Sequence, residues 1–288
     1  MAYIVCDNIK YLYSQGTPFE TAAIDGISLE INEGELVGII GHTGSGKSTL
    51  IQHFNALLTP DGGKVFVDGK DVWAKENKKQ IRSVRFAVGL CFQYPEYQIF
   101  EESVYSEIAY GPRQMGLDEN EIDRRVKQSM EFVGVDFSLS KKSPFELSGG
   151  QKRRVAIASI LAMEPRVLVL DEPCAGLDPK GREVILNLIK EYQSKMGNTV
   201  ILVSHSMEDV AKICSKVFVM NKGKIAFSGS VDEVYSHGAE LRAMGLNVPQ
   251  VTEIFLRLRE RGVDCSTSVY TVEQGVEELR RIMGEAAV

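Results

Sequence analysis

The chain has 288 residues, with 33 Lys+Arg against 39 Asp+Glu, a formal net charge of −6 and 44% hydrophobic residues. That length suits one large domain, or one with a smaller appendage, and buries enough surface to fold without disulfide staples. A charged fraction of 25% excludes global disorder, and the acidic balance argues against a general nucleic-acid binder.

Tyr3 to Tyr13 and Ile24 to Ile31 read as strands, broken by Gly16, Pro18 and Gly26. The apolar run Leu36 to Ile40 enters a glycine-rich turn. From Lys47 to Leu58, Leu50, Ile51, Phe54 and Leu57 share one helical face. Asp61-Gly62-Gly63 carries a hairpin signal before the alternating Lys64 to Val67. Helices are predicted over Asn120–Val133 and Lys152–Met163, and Phe86 to Phe92 is strand-like. A strand at Val167–Leu170, a helix at Arg182–Lys195 and a strand at Thr199–Val203 follow. Such alternation predicts an α/β fold with a mostly parallel sheet covered on both faces.

The texture changes after about Gly229. Pro249 opens a helix with Val251, Ile254, Phe255 and Leu258, and a last helix offers Val276, Leu279, Ile282 and Met283. Their apolar faces must pack on the main domain, on each other or on a partner subunit. The five cysteines (Cys6, Cys91, Cys174, Cys214, Cys265) lack metal-ligand spacing and read as reduced thiols of a cytosolic protein. The stretch Met1 to Asp7 has no signal-peptide character, and the longest apolar run, Val155 to Met163, falls far short of the ~20 residues that cross a bilayer.

Gly41-His42-Thr43-Gly44-Ser45-Gly46-Lys47-Ser48 fits G-x-x-x-x-G-K-[ST] between a predicted strand and helix, the context of a P-loop. Its glycines let backbone N–H groups turn inward around phosphate oxygens, and the helix N-terminus adds donors and a favourable dipole. Lys47 supplies charge for the β- and γ-phosphates, Ser48 offers a hydroxyl to Mg²⁺, and Thr49 completes the nucleotide-binding set. Val167 to Leu170 is a doubly buried strand that delivers Asp171 and Glu172 to its carboxyl end, where such sheets bind ligands. Adjacent carboxylates need a cation between them, which assigns Asp171 to the Mg²⁺ shell and Glu172 to the attacking water. Leu147-Ser148-Gly149-Gly150-Gln151 reads as a second anion site at a helix start, with no P-loop lysine of its own.

In this order the three motifs resemble the nucleotide-binding cassette of ABC transporters, whose signature is Leu-Ser-Gly-Gly-Gln. The resemblance implies a P-loop NTPase cassette with an antiparallel N-terminal β subdomain, a helical signature subdomain over about 94–165 and a small C-terminal helical extension. The cassette would span 1–230 and the extension 231–288, where it could meet a second protomer. It makes Gln93 the Q-loop glutamine that meets Mg²⁺ and water, and His205 the switch histidine at the γ-phosphate. Ala175-Gly176-Leu177-Asp178 matches the D-loop, and Tyr13, with Tyr11 a close rival, stands where the family stacks an aromatic on adenine. Two cassettes then face head to tail, so that one P-loop and the other signature clamp the same ATP.

Four further stretches, Gly16 to Glu20, Gln93 to Phe100, Ser143 to Leu147 and His205 to Val210, resemble the ATPases of energy-coupling-factor (ECF) transporters, especially the second of their two paralogues. The match is close over about 1–235 and looser in the tail. It implies a peripheral ATPase on the cytoplasmic face of the cell membrane, driving uptake of a vitamin or metal ion. Its partners would be a second ATPase (a paralogue or itself), a transmembrane coupling subunit and a substrate-binding membrane subunit, with no nucleic acid. Cys174 departs from the Thr or Ser usual before the D-loop. The alternative is an ABC-type ATPase of DNA repair or chromosome maintenance. Those usually insert coiled coils or zinc modules between P-loop and signature, and none is visible here. A regulatory nucleotide binder is disfavoured by Glu172 and His205. Basic clusters at Lys75–Arg85 and Lys152–Arg154 read respectively as a solvated loop or anionic-lipid contact and as a helix start.

Overall fold

The computed structural model describes residues 1–74, 80–246 and 248–284. Strand β1 (Ala2–Tyr13) pairs antiparallel with β2 (Thr21–Asn32) and, on its other edge, with a later strand, β4 (Gly62–Val67). Ile4 and Cys6 of β1 alternate into the core. A bulge at Asn8, with φ of 48°, then returns Ile9 to the same face. Ile24, Ile27, Leu29 and Ile31 of β2 complete that dry surface.

The expected hairpin at Asp61-Gly62-Gly63 lies elsewhere. Gly62 and Gly63 begin β4, while the tight turn falls at Asp68-Gly69 (φ 52° and 71°) and leads into β5 (Lys70–Asp71). The bulged Asn8 explains the shift. A Cβ on Gly63 would lie 2.3–2.5 Å from the Asp7 and Asn8 backbone, so this glycine serves close strand approach rather than a turn.

The central sheet has the order β10-β9-β3-β8-β7-β6. β3 (Leu36–Gly41), β6 (Val88–Cys91), β7 (Val167–Asp171), β8 (Thr199–Val203) and β9 (Lys216–Asn221) run parallel, and β10 (Lys224–Ser230) closes one edge antiparallel to β9. Every residue of β3, β6, β7 and β8 is buried, which accounts for their unbroken apolar runs. Helices α1 (Lys47–Phe54), α6 (Pro179–Met196) and α7 (Met207–Ile213) cover the sheet. A helical layer contains α3 (Val104–Met115), α4 (Glu119–Phe132) and α5 (Gly149–Leu161).

The α4 and α5 helices agree with the apolar stripes, but α1 stops early at Phe54, before Ala56 at a φ of 57°, and Leu57 is largely exposed. Helix α3 was not legible, because Gly111 and Pro112 interrupt its pattern. Residues Ile81–Ala87 form helix α2 ahead of β6, so Phe86 is helical rather than strand. Of the first basic cluster, Lys75, Lys78 and Lys79 lie outside the described residues, whereas Arg82 and Arg85 are on α2 and bond the Gln114 and Ala56 carbonyls instead of forming a solvated loop.

After residue 230 come α8 (Val231–Tyr235), α9 (Gly238–Ala243), α10 (Gln250–Glu260) and α11 (Val272–Met283). Val234, Tyr235, Leu241, Leu246, Val248 and Tyr270 join the main core, and the Tyr235 hydroxyl donates to the Met207 carbonyl at 2.7 Å. Phe255, Cys265 and Val269 form a small separate core with Val251, Leu258 and Ile282. Ile254, Val276, Leu279 and Met283 stay exposed. None of the described helices is long and apolar enough to cross a membrane.

Candidate functional site: a phosphate cradle at the strand ends

Strand register gathers the site. Asp171 of β7 and Ile39 of β3 both lie opposite Val203 of β8, and Cys91 of β6 lies opposite Leu170. Residues leaving these carboxyl ends therefore emerge side by side: the P-loop from β3, Gln93 from β6, Asp171 and Glu172 from β7, His205 from β8. Two main-chain bonds hold the row, from Ser204 N–H to Ile39 O (3.1 Å) and from Glu172 N–H to Val203 O (2.9 Å).

Gly44 and Gly46 take φ of 79° and 102°, and no side chain caps the start of α1, so its first N–H groups face the loop. A Cβ on Gly46 would sit 2.3 Å from the Ala23 carbonyl oxygen; only glycine fits there. Lys47 Nζ donates to the carbonyls of Gly41 (2.7 Å) and His42 (3.0 Å). Burial lowers its pKa, opposed by the nearby charges of Glu172 and Asp171. The buried Ser45 hydroxyl has no hydrogen-bond partner among the described residues. His42 is tethered through Nε2 to Asn221 Oδ1 at 3.2 Å, a contact absent from the sequence motif.

Ser48 Oγ donates to Asp171 Oδ2 at 2.8 Å. Burial raises the Asp171 pKa; the Ser48 bond lowers it, Glu172 raises it and Lys47 lowers it. Glu172 occupies left-handed backbone at a φ of 50°, and its Oε2 lies 2.8 Å from His205 Nδ1. Its side chain is 13% exposed, against 72% for His205, so the carboxylate is shielded behind an open imidazole. Gln93 is exposed just beyond β6.

Tyr13 is held by Thr49, with its hydroxyl 3.2 Å from Thr49 Oγ1 and its ring partly open. Tyr11 is instead wedged edge-on between Tyr13 (5.0 Å) and His53 (5.1 Å). The signature stands apart: among the described residues no hydrogen bond or ion pair links Ser148–Gln151 to the P-loop. Ser148 and Gln151 cap each other, the Gln151 N–H donating to Ser148 Oγ at 3.4 Å and the Ser148 N–H to Gln151 Oε1 at 3.0 Å. Gly149 and Gly150 are exposed with open space around their Cα atoms. Asp178 caps α6 by accepting from Gly181 N–H at 2.7 Å. Sequence reading missed Arg153, taken as part of a basic helix start. It is 4% exposed and bonded to two separate segments, at Glu96 and at the loop of Pro173 and Ala175.

A phosphate-cradling loop, a carboxylate pair and a second helix-start motif on one α/β frame define a nucleotide-hydrolysing ATPase of the ABC class. The ABC transporter family model matches residues 24–175. The energy-coupling factor transporter ATP-binding protein EcfA2 of Caldanaerobacter subterraneus subsp. tengcongensis is 52% identical, covering 97% of both chains. The protein of the same name from Clostridium tetani is 51% identical over 99% of this chain and 98% of its own. The solved structure of cbiO1 from Clostridium perfringens, described as part of the ABC transporter complex cbiONQ, superposes with a TM-score of 0.73. It has 37% identity and covers 91% of this chain and 97% of that one. A dimeric ATP-binding cassette, MJ0796 bound to ADP and Pi, gives 0.69 at 25% identity, covering 79% and 98%. The chain belongs to the ABC transporter family and, within it, to the energy-coupling factor ATP-binding proteins of the EcfA2 group. The alignments with both relatives span 97% or more of the chain, the tail included, and the DNA-repair alternative finds no support.

Proposed function

We propose that this chain is the peripheral ATPase of an energy-coupling-factor importer, working on the cytoplasmic face of the membrane as one half of a head-to-tail pair. The observation that carries the reading is the division of phosphate-binding groups. Lys47, Ser48, Asp171, Glu172 and His205 converge at the carboxyl ends of interior strands, while Gly149 and Gly150 after Ser148 stand exposed at the start of α5 with no P-loop lysine of their own. A second cassette, a paralogue or another copy, supplies what each half lacks.

In this reading the P-loop amides from Gly41 to Thr49 and Lys47 hold the ATP phosphates, and the Tyr13 ring lies against adenine. Tyr13 is preferred to Tyr11 because Tyr11 is wedged against His53. The hard oxygen donors of Ser48 and Asp171, 2.8 Å apart, suit Mg²⁺, with Gln93 leaving the neighbouring carboxyl end of β6. The metal would neutralise charge on the β- and γ-phosphates. Glu172 orients and accepts a proton from the attacking water, and His205 positions Glu172 and meets the γ-phosphate. Ser148 to Gln151 and Asp178 serve nucleotide across the interface. The cassette spans 1–230, with a helical subdomain near 94–165, and the extension 231–288 offers its exposed apolar residues to a second protomer.

A groove of about 290 Å³ lined by Phe86, Leu90, Pro95, Gln98, Tyr110 and Met163 receives the transmembrane coupling subunit, which works with a separate substrate-binding membrane subunit. The cargo is a vitamin or metal ion. Isolation of the intact complex from native membranes, followed by ATP-dependent uptake in vesicles, tests the reading. Recovery of the chain free of membrane subunits, with ATPase stimulated by duplex DNA, would overturn it.

A further inference from the structure

Arg153, on the first turns of α5, is buried among acceptors from two other parts of the chain. Its Nε and Nη2 bond Glu96 Oε2 (3.0 Å) and Oε1 (2.6 Å) in a bidentate fork. Its Nη1 donates to the carbonyls of Ala175 (2.7 Å) and Pro173 (3.2 Å), and the guanidinium lies 5.9 Å from the centre of the Tyr94 ring. Burial opposes ionisation of Glu96, yet the bonds from Arg153 bring its pKa below the ordinary carboxylate value.

These partners sit beside two strained residues. Glu96 follows Tyr94, held at a φ of 55°, and Pro173 follows Glu172, held at 50°. Left-handed backbone at non-glycine residues persists only where its surroundings over-determine it. Arg153 reaches both places, forking onto the Glu96 carboxylate two residues after Tyr94 and bonding the Pro173 carbonyl next to Glu172, a set of contacts that a lysine point charge cannot reproduce.

We infer that Arg153 is a positioning residue: it fastens the segment after Gln93 and the loop after Glu172 to the signature helix, and so sets where the Glu172 carboxylate stands. The inference rests on Glu172 acting on the attacking water. It also ties the helix that serves the facing protomer's nucleotide to this chain's own hydrolytic loop.

The test is steady-state ATPase of the full-length chain in its assembled complex, with kcat and KM for ATP measured separately and melting temperature followed in parallel. Arg153→Lys and Glu96→Gln should each lower kcat about tenfold or more, the scale set by small misplacements of catalytic groups. KM should stay within about twofold, since no P-loop group is disturbed. The double variant Arg153→Gln with Glu96→Gln should be no slower than Arg153→Gln alone, because both remove one linkage. If Arg153→Gln fails to fold, the milder Arg153→Lys and Glu96→Gln carry the comparison. Wild-type kcat in folded Arg153→Lys, or losses that multiply independently, would overturn the inference, and a purely structural pair would lower melting temperature alone. Glu172→Gln run alongside separates the two ideas. Its normal turnover would sink the role of Glu172, whereas its loss beside a normal Arg153→Lys would sink only the role of Arg153.

Discussion

Glu172 leaves β7 in left-handed backbone, and that geometry turns its carboxylate toward His205 while Asp171, one residue earlier, stays buried against Ser48. Two neighbouring acids thus meet different surroundings, as the proposed split between a metal ligand and a proton acceptor requires. Glu172→Gln keeps the shape and removes the basic oxygen. ATP binding should survive while turnover falls roughly 10²–10⁴-fold, the usual worth of a general base. Nucleotide-bound dimer should accumulate, visible by size-exclusion chromatography with ATP present. A variant that turns over at the native rate would remove Glu172 as the base. Asp171 and Ser48 were legible as motif residues, but their mutual bond was not, because it spans 123 positions.

At the level of elements, helix α5 carries a capped start whose glycines face outward. Ser148→Arg places a bulky cation on that face. In mixed dimers with one altered protomer, hydrolysis should fail at the site facing the substitution, while the altered chain still binds ATP on its own P-loop. Loss confined to the altered chain's own site would contradict the head-to-tail arrangement. Helix α11 offers a second test. Glu278 accepts from Arg281 (2.8 and 2.7 Å) and from the Ser266 N–H, and these bonds hold its pKa at about 2 against an ordinary 4.5. A carboxylate depressed by folding contributes its full stabilisation above the unfolded value and loses it as pH falls through the folded one. The loop before α11 should therefore keep its protection from hydrogen exchange above pH 4.5 and lose it toward pH 2. Glu278→Gln should weaken protection at neutral pH and abolish that acid step; a native chain unchanged across the window would contradict the assignment.

For the molecule as a whole, the proposed head-to-tail pairing, in which Ser148–Gln151 serves a facing P-loop, would make association part of catalysis. Specific ATPase activity of the isolated chain should fall on dilution, and saturating ATP should restore association. Concentration-independent activity of a strict monomer would rule this out. The sheet, the P-loop and the carboxylate strand could be read because their chemistry is tied to contiguous backbone: a buried run, a glycine turn, a helix start. Asp-Gly was misread at Asp61 because the same dipeptide at Asp68 makes the real turn, and the choice rests on the Asn8 bulge across the sheet. Arg153 looked like an ordinary basic helix start, since its partners Glu96 and Ala175 lie 57 and 22 positions away. Local order along the chain was enough to specify the P-loop and the β7 carboxylates, because each is built from its own consecutive residues. Which strand ends adjoin, which arginine is buried and which apolar faces of the tail remain open depend on packing between distant segments, and only the folded chain brings those segments together.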